Sequence, residues 1–306
     1  MADIALVTAA EARELDEDLP GLLDALGRRD LVPSVVVWDD PGVDWSAAAL
    51  TVVRSTWDYS TRRPEFLAWS RVVASQSRLV NSPAVIAWNT DKVYLAELEV
   101  AGVEIVPSRF LQPSDPVVLP SSGEFVVKPT VGAGSRDAGR FDAADPEPAM
   151  AHAAALLAEG RTVMIQPYQR SVDERGETAL LYFGGSFSHA INKGPLLARR
   201  DPGDPSTLQP SRALFAPERI TPTSATKAER GAGDRVLEAL AGLGSVGHEL
   251  SPAPYVRIDL VEGDDGSTLL LEVELTEPSV FLDADSGAAD RFADVLAALL
   301  VAERSR

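Results

Sequence analysis

Two apolar segments near the carboxyl end of the chain carry its most informative carboxylates: Tyr255-Val-Arg-Ile-Asp-Leu260 and Leu269-Leu-Leu-Glu-Val-Glu-Leu275. A short acidic turn rich in Asp and Gly separates them, which predicts a β-hairpin. Side chains alternate between the two faces of a strand, so Glu272 and Glu274 share one face. Pairing of the two strands can bring Asp259 onto that same face.

Three carboxylates inside an otherwise apolar sheet would repel one another unless cations neutralised them. Mg2+ is the obvious candidate, because it prefers oxygen ligands and often bridges protein carboxylates to substrate phosphates. Arg257 lies two residues before Asp259 and would face the same site, where it could stabilise a phosphoryl group during transfer. The alternative is a solvated hairpin face on an acidic protein.

A glycine-containing loop is the most specific local signal. Residues 124–136, Glu-Phe-Val-Val-Lys-Pro-Thr-Val-Gly-Ala-Gly-Ser-Arg, predict a strand that delivers Lys128 and a loop that contains Gly132, Gly134 and Ser135. Glycines let backbone N–H groups approach phosphate oxygens, and Ser135 adds a hydroxyl donor. The lysine precedes the glycines, so this is not a Walker A loop, and a Rossmann fingerprint is absent as well. An ordinary hairpin is the alternative.

Lysine is rare, with four residues against 24 arginines. We interpret the remaining lysines as sites that need a compact point charge on a flexible stem, although chance survival is the alternative. Asn89-Thr90-Asp91 predicts the amino-terminal cap of a helix that runs to Ala101. Lys92 would lie in its first turn, where a cation opposes the helix dipole unless an anion meets it.

The amino-terminal region predicts a β-α-β unit. Strands at residues 4–8 and 33–38 flank a helix at residues 19–29, and a third strand follows at residues 50–54. Ligands of parallel sheets bind at the carboxyl ends of strands, so the loop after the third strand is a candidate substrate contact. A helix-capping loop is the alternative. The candidate substrate residues are Arg54, Trp57, Asp58 and Tyr59.

Composition excludes several classes of function. A net charge of -18 argues against a nucleic-acid partner and against an anionic membrane surface. The absence of cysteine excludes disulfides and thiolate chemistry, and three scattered histidines do not form a zinc site at short spacing. No long apolar stretch and no basic leader region occur. We expect a cytoplasmic protein with a small-molecule, amino-acid-like substrate, and homo-oligomer formation stays open.

The order of these elements resembles the ATP-grasp superfamily, specifically its glutathione-synthetase-like ligases. The resemblance rests on Lys92, then Lys128 before a glycine loop, then Gln166-Pro167-Tyr168 at the end of an apolar strand. It implies that ATP is a cofactor, that the two lysines contact its phosphates, and that the loop of Gly132, Gly134 and Ser135 folds over them. It also implies that Gln166, Pro167 and Tyr168 line the adenine pocket.

The same resemblance implies roles for the remaining candidates. Asp173 or Glu177 would meet the ribose, and Lys193 would lie near the transferred phosphate beside Arg257. Mg2+ would be held by Asp259, Glu272 and Glu274. The superfamily usually has Glu-x-Asn where this chain has Glu272-Val273-Glu274, which puts the role of Glu274 in doubt.

The resemblance implies an α/β and α+β fold with three lobes and with ATP between the last two. We expect an amino-terminal α/β substrate lobe at residues 1–85 and a central ATP-grasp region at residues 86–170, whose lid begins near residue 108. A carboxyl-terminal α+β lobe at residues 171–306 would hold the metal site. The expected reaction activates a carboxylate as an acyl phosphate for attack by a nitrogen nucleophile.

Four segments resemble a narrower group, the cyclo-ligases that form cycloserine from O-ureido-serine. They are Arg54-Ser-Thr-Trp-Asp-Tyr59, Gln166-Pro-Tyr168, Gly176-Glu-Thr178 and Phe187-Ser-His-Ala-Ile-Asn-Lys193. In that reaction Arg54 or Arg257 could bind the substrate carboxylate, and Asp58 could hold the amino group. The alternatives are an intermolecular carboxylate-amine ligase, a nucleotide-binding protein without catalysis, and a simple kinase.

Overall fold

The amino-terminal part of the chain forms a four-stranded parallel sheet of order β2-β1-β3-β4. The structure is a computed structural model that describes residues 3–197 and 219–304. The predicted β-α-β unit is confirmed, and the third strand is buried at every position, as is typical of a strand covered on both faces. The elements are β1 (Ile4–Thr8), α1 (Asp18–Gly27), β2 (Pro33–Val37), β3 (Leu50–Ser55), α2 (Tyr59–Ala74) and β4 (Arg78–Val80).

Helix α2 begins earlier than the position of its proline suggests. Pro64 lies inside the helix, and Arg62 has non-helical angles of φ -134° and ψ 28°. A proline has no N–H to donate to the preceding turn, so a kink separates the first turn from the rest of the helix. Tyr59 and Ser60 therefore belong to the helix and not to a loop before it.

The expected helix start beside Lys92 is wrong. Helix α3 (Pro83–Asn89) ends where a cap was predicted, and helix α4 (Tyr94–Val100) begins two residues after Lys92. The reason is that the Asn89 side chain has partners elsewhere. Its amide nitrogen donates a hydrogen bond to the Val273 carbonyl oxygen at 2.8 Å, and its carbonyl oxygen accepts from the backbone N–H groups of Leu275 and Thr276 at 2.7 and 3.1 Å. Lys92 lies in the turn between the helices.

A second sheet is antiparallel and has the strand order β5-β8-β6-β7. Helix α5 packs on one face of it, and the two share a hydrophobic core of their own around Phe125, Leu156 and Ile165. The elements are β5 (Arg109–Leu111), β6 (Glu124–Pro129), β7 (Gly139–Asp142), α5 (Glu147–Ala158) and β8 (Val163–Pro167).

The third sheet has five antiparallel strands in the order β11-β10-β9-β12-β13. One face packs against α4 and α7, and the other packs against the first sheet and α8. The elements are α6 (Ser171–Arg175), β9 (Glu177–Phe183), β10 (Ser186–Lys193), β11 (Ile220–Thr223), α7 (Lys227–Gly242), β12 (Tyr255–Glu262), β13 (Thr268–Glu274) and α8 (Ala288–Arg304). Within the described ranges, no helix has the length and apolar character needed to span a membrane.

The predicted hairpin of β12 and β13 is confirmed, and it contains a β-bulge. Asp259 lies opposite Glu272, but Leu260 lies opposite Leu270, so Leu271 is an extra residue on β13. A bulge interrupts the strict alternation of side chains and re-aims them. Both Leu271 and Glu272 consequently line the same cavity, although they are adjacent in sequence.

Candidate active site

A cavity lies between the second and third sheets and collects most of the candidate nucleotide-binding residues. The sequence-predicted residues that line it are Lys128, Ser135, Gln166, Pro167, Tyr168, Glu177, Lys193, Asp259 and Glu272. They come from six strands and two connecting segments, so the cavity exists only when both sheets are folded.

One wall of the cavity is apolar, and sequence reasoning did not identify it. Val106, Val172 and Val261 pack with Tyr168, and Leu271 and Val126 pack against that cluster. Such a wall suits a flat aromatic base. The signal available in sequence was weak, because isolated valines and leucines on strands are far more often core residues than ligand contacts.

Asp259 is the centre of the charged part of the site. Its carboxylate accepts hydrogen bonds from Arg257 Nε at 2.9 Å and Nη2 at 3.0 Å, and from Lys193 Nζ at 3.0 Å. Burial alone would raise its pKa, but these two cations outweigh burial and lower the pKa to about 2. Asp259 is therefore a carboxylate at any physiological pH.

Lys92 connects the hairpin to the glycine loop. Its Nζ lies 2.9 Å from Glu272 Oε1 and donates a hydrogen bond to the Gly132 carbonyl oxygen at 2.8 Å. Burial opposes the charged form of Lys92, yet the Glu272 carboxylate raises its pKa. Gly132 thus contributes a contact to Lys92, but it does not line the cavity.

Lys128 differs from the other cations of the site, because it forms no ion pair within residues 3–197 and 219–304. Burial lowers its pKa, and the nearby charges of Lys92 and Lys193 lower it further, while Glu272 opposes the shift. A desolvated ammonium that lines a cavity is suited to bind an anion.

Glu274 lies opposite Arg257 on the neighbouring strand and hydrogen-bonds to its guanidinium. Burial raises the pKa of Glu274 to about 7, and repulsion from Glu272 and Asp259 contributes, although Arg257 opposes the shift. The cluster as a whole places four cations, namely Lys92, Lys128, Lys193 and Arg257, among the carboxylates of Glu177, Asp259, Glu272 and Glu274.

The donor set fits Mg2+ when a substrate supplies further ligands. No group of three or more His, Cys, Asp or Glu side chains among the described residues is arranged to hold a metal alone. Mg2+ is commonly bound through one or two carboxylates together with phosphate oxygens. Asp259 and Glu272, which are paired residues on the neighbouring strands β12 and β13, offer two such carboxylates. Glu274, held by Arg257, is a third candidate.

The glycine loop has the backbone geometry that the sequence suggests. Gly134 has φ +59° and Ser135 has φ +57°, a left-handed conformation that glycine adopts without strain. Ser135 lines the cavity, whereas Gly134 is exposed. The loop therefore borders the cavity through Ser135.

The two candidates for the ribose contact lie in different surroundings. Asp173 accepts hydrogen bonds from Tyr168 at 2.7 Å and from Arg140 at 2.8 Å, and it does not line the cavity. Glu177 lines the cavity and lies 3.2 Å from Lys193 Nζ. Gln166 also lines the cavity, where its amide donates to Ser108 at 2.8 Å.

Arg54 is placed differently from the expectation of a substrate contact. Its side chain is buried, with 1% exposure, and its guanidinium pairs with Asp18 at 3.3 Å. Sequence reasoning missed this pair because Asp18 lies 36 residues earlier in the sequence and is not part of a recognisable motif. Asp18 in turn accepts hydrogen bonds from the backbone N–H groups of Val280 and Leu282, both at 2.7 Å.

Asp58 is likewise engaged within the first lobe. Its carboxylate accepts hydrogen bonds from Trp38 Nε1 at 2.9 and 3.2 Å and lies 3.5 Å from Arg62. Trp57 and Tyr59, in contrast, both contact Glu277: Trp57 Nε1 donates to its carbonyl oxygen at 3.1 Å, and Tyr59 hydrogen-bonds to its side chain. Two of the four candidates therefore reach the carboxyl-terminal part of the chain.

Residues 277–282, which we call the strap, follow the hairpin and are held by residues of the amino-terminal part and by residues of the third sheet. Besides Trp57 and Asp18, His189 Nε2 lies 2.9 Å from the Val280 carbonyl and 3.1 Å from the Phe281 carbonyl. Two carbonyl partners require that Nε2 carries the proton. Phe281 has φ +49°, a strained left-handed conformation that these contacts stabilise.

Comparison with known proteins identifies the family. Residues 4–81 match the family described as D-cycloserine synthetase DcsG, N-terminal domain. The cycloserine biosynthesis protein DcsG of Streptomyces lavendulae is 38% identical over 308 residues, which covers 97% of this chain and 98% of that protein. This chain belongs to the DcsG family of ATP-grasp ligases. It is an ATP-dependent carbon-nitrogen ligase that forms ADP.

Solved structures agree with this membership. The crystal structure of D-cycloserine synthetase DcsG matches with a TM-score of 0.84 and 37% identity, over 97% of this chain and 99% of that one. The D-alanine–D-alanine ligase from Bacillus anthracis has a TM-score of 0.68 at 13% identity, over 100% of this chain and 99% of that one, and shows the fold alone. The ATP-grasp ligase PsnB, solved with a minimal precursor, Mg and ADP, has a TM-score of 0.57 at 17% identity and covers 98% and 97%.

The DcsG family assignment confirms the expected fold class and enzyme class. Sequence reasoning missed Asp18, His189 and the carboxylate of Glu277 as parts of the site region. Asp18 and His189 act on backbone groups far along the chain, and no local pattern marks such contacts. Glu277 lies three residues after Glu274, and this closeness to the hairpin was the available signal that Glu277 belongs to the site region.

Proposed function

We propose that this DcsG family member closes O-ureido-D-serine to D-cycloserine at the expense of ATP, with Mg2+ as its metal. The observation that carries the proposal is the match of residues 4–81 to the DcsG amino-terminal domain. Those residues include Trp57 and Tyr59, which reach Glu277 beside the charged cluster. The likeness to DcsG thus extends to the part of the chain proposed to bind the substrate.

ATP would lie between the second and third sheets, with its base against the apolar wall and near Gln166, Pro167 and Tyr168. Lys92, Lys128 and Lys193 would neutralise its phosphates, and the loop of Gly132, Gly134 and Ser135 would cover them. The second sheet has its own hydrophobic core, which supports its movement as a lid over the nucleotide. Either Asp173 or Glu177 would bind the ribose.

Asp259 and Glu272 would hold Mg2+, with Glu274 as a further ligand. When bound, the metal would neutralise charge on the β- and γ-phosphates. Lys193 and Arg257 both contact Asp259, so they would fix its carboxylate and also face the transferred phosphoryl group. The site needs no nucleophile from the protein.

In the first step, a carboxylate oxygen of the substrate attacks the γ-phosphorus, and ADP leaves. In the second step, the ureido nitrogen bonded to oxygen attacks the acyl carbon, loses a proton and expels phosphate, which closes a five-membered ring. D-cycloserine lacks the carbamoyl group, so atom balance requires its loss from the ring nitrogen, with one water, as carbon dioxide and ammonia. Exclusion of other water by the lid would protect the acyl phosphate from hydrolysis.

The test measures ADP and ammonia released by the purified protein with Mg-ATP, with and without O-ureido-D-serine. Equal amounts of ADP, ammonia and D-cycloserine are expected. A panel of amino acids paired with amines runs in parallel. ADP release that responds to an acid-amine pair and not to the ureido compound would instead establish an intermolecular ligase.

A further inference from the structure

Glu277 is a buried carboxylate without an ion pair. Its residue is 7% exposed, and no Lys, Arg or His nitrogen lies within 4.0 Å of it in the described parts of the chain. Every other carboxylate of the charged cluster has such a partner, namely Glu177, Asp259, Glu272 and Glu274. Burial, together with the Glu274 charge, raises the pKa of Glu277 to about 8, so its ionised form is costly unless a ligand supplies a counter-ion.

The surroundings of Glu277 belong to two lobes. Tyr59 hydrogen-bonds to its side chain from the start of α2, and Trp57 Nε1 donates to its carbonyl oxygen at 3.1 Å. Lys92, Glu272 and Glu274 lie close enough to act on Glu277 electrostatically. The carboxylate therefore lies between the amino-terminal lobe and the proposed site of phosphoryl transfer.

The strap holds this carboxylate in place through its backbone. Arg257 Nη1 donates to the Ser279 carbonyl at 3.2 Å. The Val280 N–H donates to Asp18, and the Val280 carbonyl oxygen accepts from His189. These contacts hold the strap through its backbone and do not involve the Glu277 side chain. The side chain of Glu277 can therefore contact a ligand without a change in the backbone contacts.

We propose that Glu277 binds the α-ammonium group of the amino-acid substrate, with Tyr59 orienting its carboxylate. The inference rests on the proposed function and specifies which group of that substrate the strap recognises. Glu277 and Tyr59 together offer too few oxygen ligands for a second metal. A single ammonium group, in contrast, needs only a carboxylate and aromatic neighbours such as Tyr59 and Trp57. Asp58, the earlier candidate, already accepts from Trp38.

The arrangement orients the substrate. Its ammonium group would lie at Glu277, on the side of the first lobe, and its carboxylate would point toward the hairpin that carries Asp259 and Glu272. A substrate held in this way presents the carboxylate, and not the ammonium, to the γ-phosphate. Glu277 is thereby a determinant of specificity for amino acids over simple carboxylic acids.

The experiment is a cycle of two enzymes and two substrates. The enzymes are the wild type and Glu277→Gln, and the substrates are O-ureido-D-serine and its analogue with hydrogen in place of the ammonium group, 3-(ureidooxy)propanoate. The wild type should lose about 10- to 100-fold in kcat/KM with the analogue, mostly through KM. Glu277→Gln should lose a similar factor with O-ureido-D-serine and should use the two substrates within about threefold of each other.

Controls separate recognition from folding. The Kd for ATP and the urea midpoint of Glu277→Gln should match the wild type within error, and the exposed Glu14→Gln should leave the cycle unchanged. If Glu277→Gln does not fold, Tyr59→Phe replaces it and should reduce the preference for O-ureido-D-serine by about threefold to tenfold. A variant that keeps the full wild-type preference, or loses equal activity with both substrates, overturns the inference.

The same design distinguishes the two proposals. If the wild type releases ADP with a different amino acid, the proposed reaction fails, and the cycle is run with that amino acid and its deaminated analogue. Loss of the preference in Glu277→Gln would then support the ammonium site alone. Absence of ADP release with every amino acid would overturn both.

Discussion

Replacement of Lys128 by Met should change nucleotide affinity and fold stability in opposite directions. Lys128 lines the nucleotide cavity and forms no ion pair in the described chain, so its charge is available to a phosphate. A hydrogen bond to a charged group contributes about 1.5–3 kcal/mol, and 1.4 kcal/mol corresponds to a factor of ten. Lys128→Met should therefore weaken ATP binding by about 10- to 150-fold.

The free energy of unfolding of Lys128→Met should not fall together with its ATP affinity. Burial and neighbouring cations lower the pKa of Lys128 in the folded protein, so its charged form is less favourable there than in the unfolded chain. Met retains a flexible apolar side chain of similar length without the charge. We expect the free energy of unfolding of Lys128→Met to equal or exceed that of the wild type, as for other residues whose role is functional.

The pH dependence has a defined sign. Between the lowered folded pKa of Lys128 and the ordinary value near 10.4, the unfolded state binds more protons, so this group adds stability as pH rises. Any stability advantage of Lys128→Met should be largest at neutral pH and should shrink as pH approaches about 10. A pH series of urea unfolding measures this difference directly.

Calorimetric titration with ATP and urea unfolding provide the two measurements, and Lys227→Met at the exposed start of α7 is the matched control. This control should change neither the ATP affinity nor the free energy of unfolding. An ATP affinity within about threefold of wild type would refute the placement of Lys128 at the phosphates. A marked loss of stability would refute the argument that its charge is unfavourable in the fold.

Three further substitutions test other parts of the site region. Glu272→Gln should reduce turnover by at least about 100-fold with an unchanged circular-dichroism spectrum, and near-normal activity would remove Glu272 from the metal site. Asp18→Ala should cost about 3–5 kcal/mol in urea unfolding, because it leaves a buried guanidinium unpaired and frees the strap; a cost below about 1 kcal/mol would contradict that account. Gly176→Ala should cost about 3 kcal/mol or more, since φ is +71° and an added Cβ would lie 2.2 Å from the Lys193 carbonyl oxygen, whereas Gly242→Ala, which meets nothing within 4 Å, should be tolerated.

The charged half of the site could be predicted because its carboxylates lie within apolar strands. Carboxylates at Asp259, Glu272 and Glu274 interrupt apolar runs, and the period of two places them on one face. The bulge at Leu271 was not predictable, since no glycine or proline marks it. It is the bulge that lets one strand contribute both to the apolar wall and to the charged cluster.

The amino-terminal candidates show where sequence reasoning stops. Arg54 and Asp58 stand at the carboxyl end of a parallel strand, which is a reasonable place for ligand contacts. Their roles are decided by Asp18 and Trp38, whose side chains reach them from other elements. Burial of a charged side chain depends on partners that are distant in sequence, and residue order alone does not reveal them.

The choice of cations in the cluster follows from what each one contacts. Lys92 and Lys193 each bridge two oxygen groups with a single nitrogen, which suits a compact ammonium on a flexible stem. Arg257 instead binds Asp259 through Nε and Nη2. Its Nη2 also contacts Glu274, and its Nη1 donates to the strap at the Ser279 carbonyl oxygen. A planar fork is required there, because one side chain must orient a proposed metal ligand and the strap that carries Glu277. Exchange of Arg257 for Lys would preserve charge and lose that geometry, so the hairpin and the strap would no longer be held by a common residue.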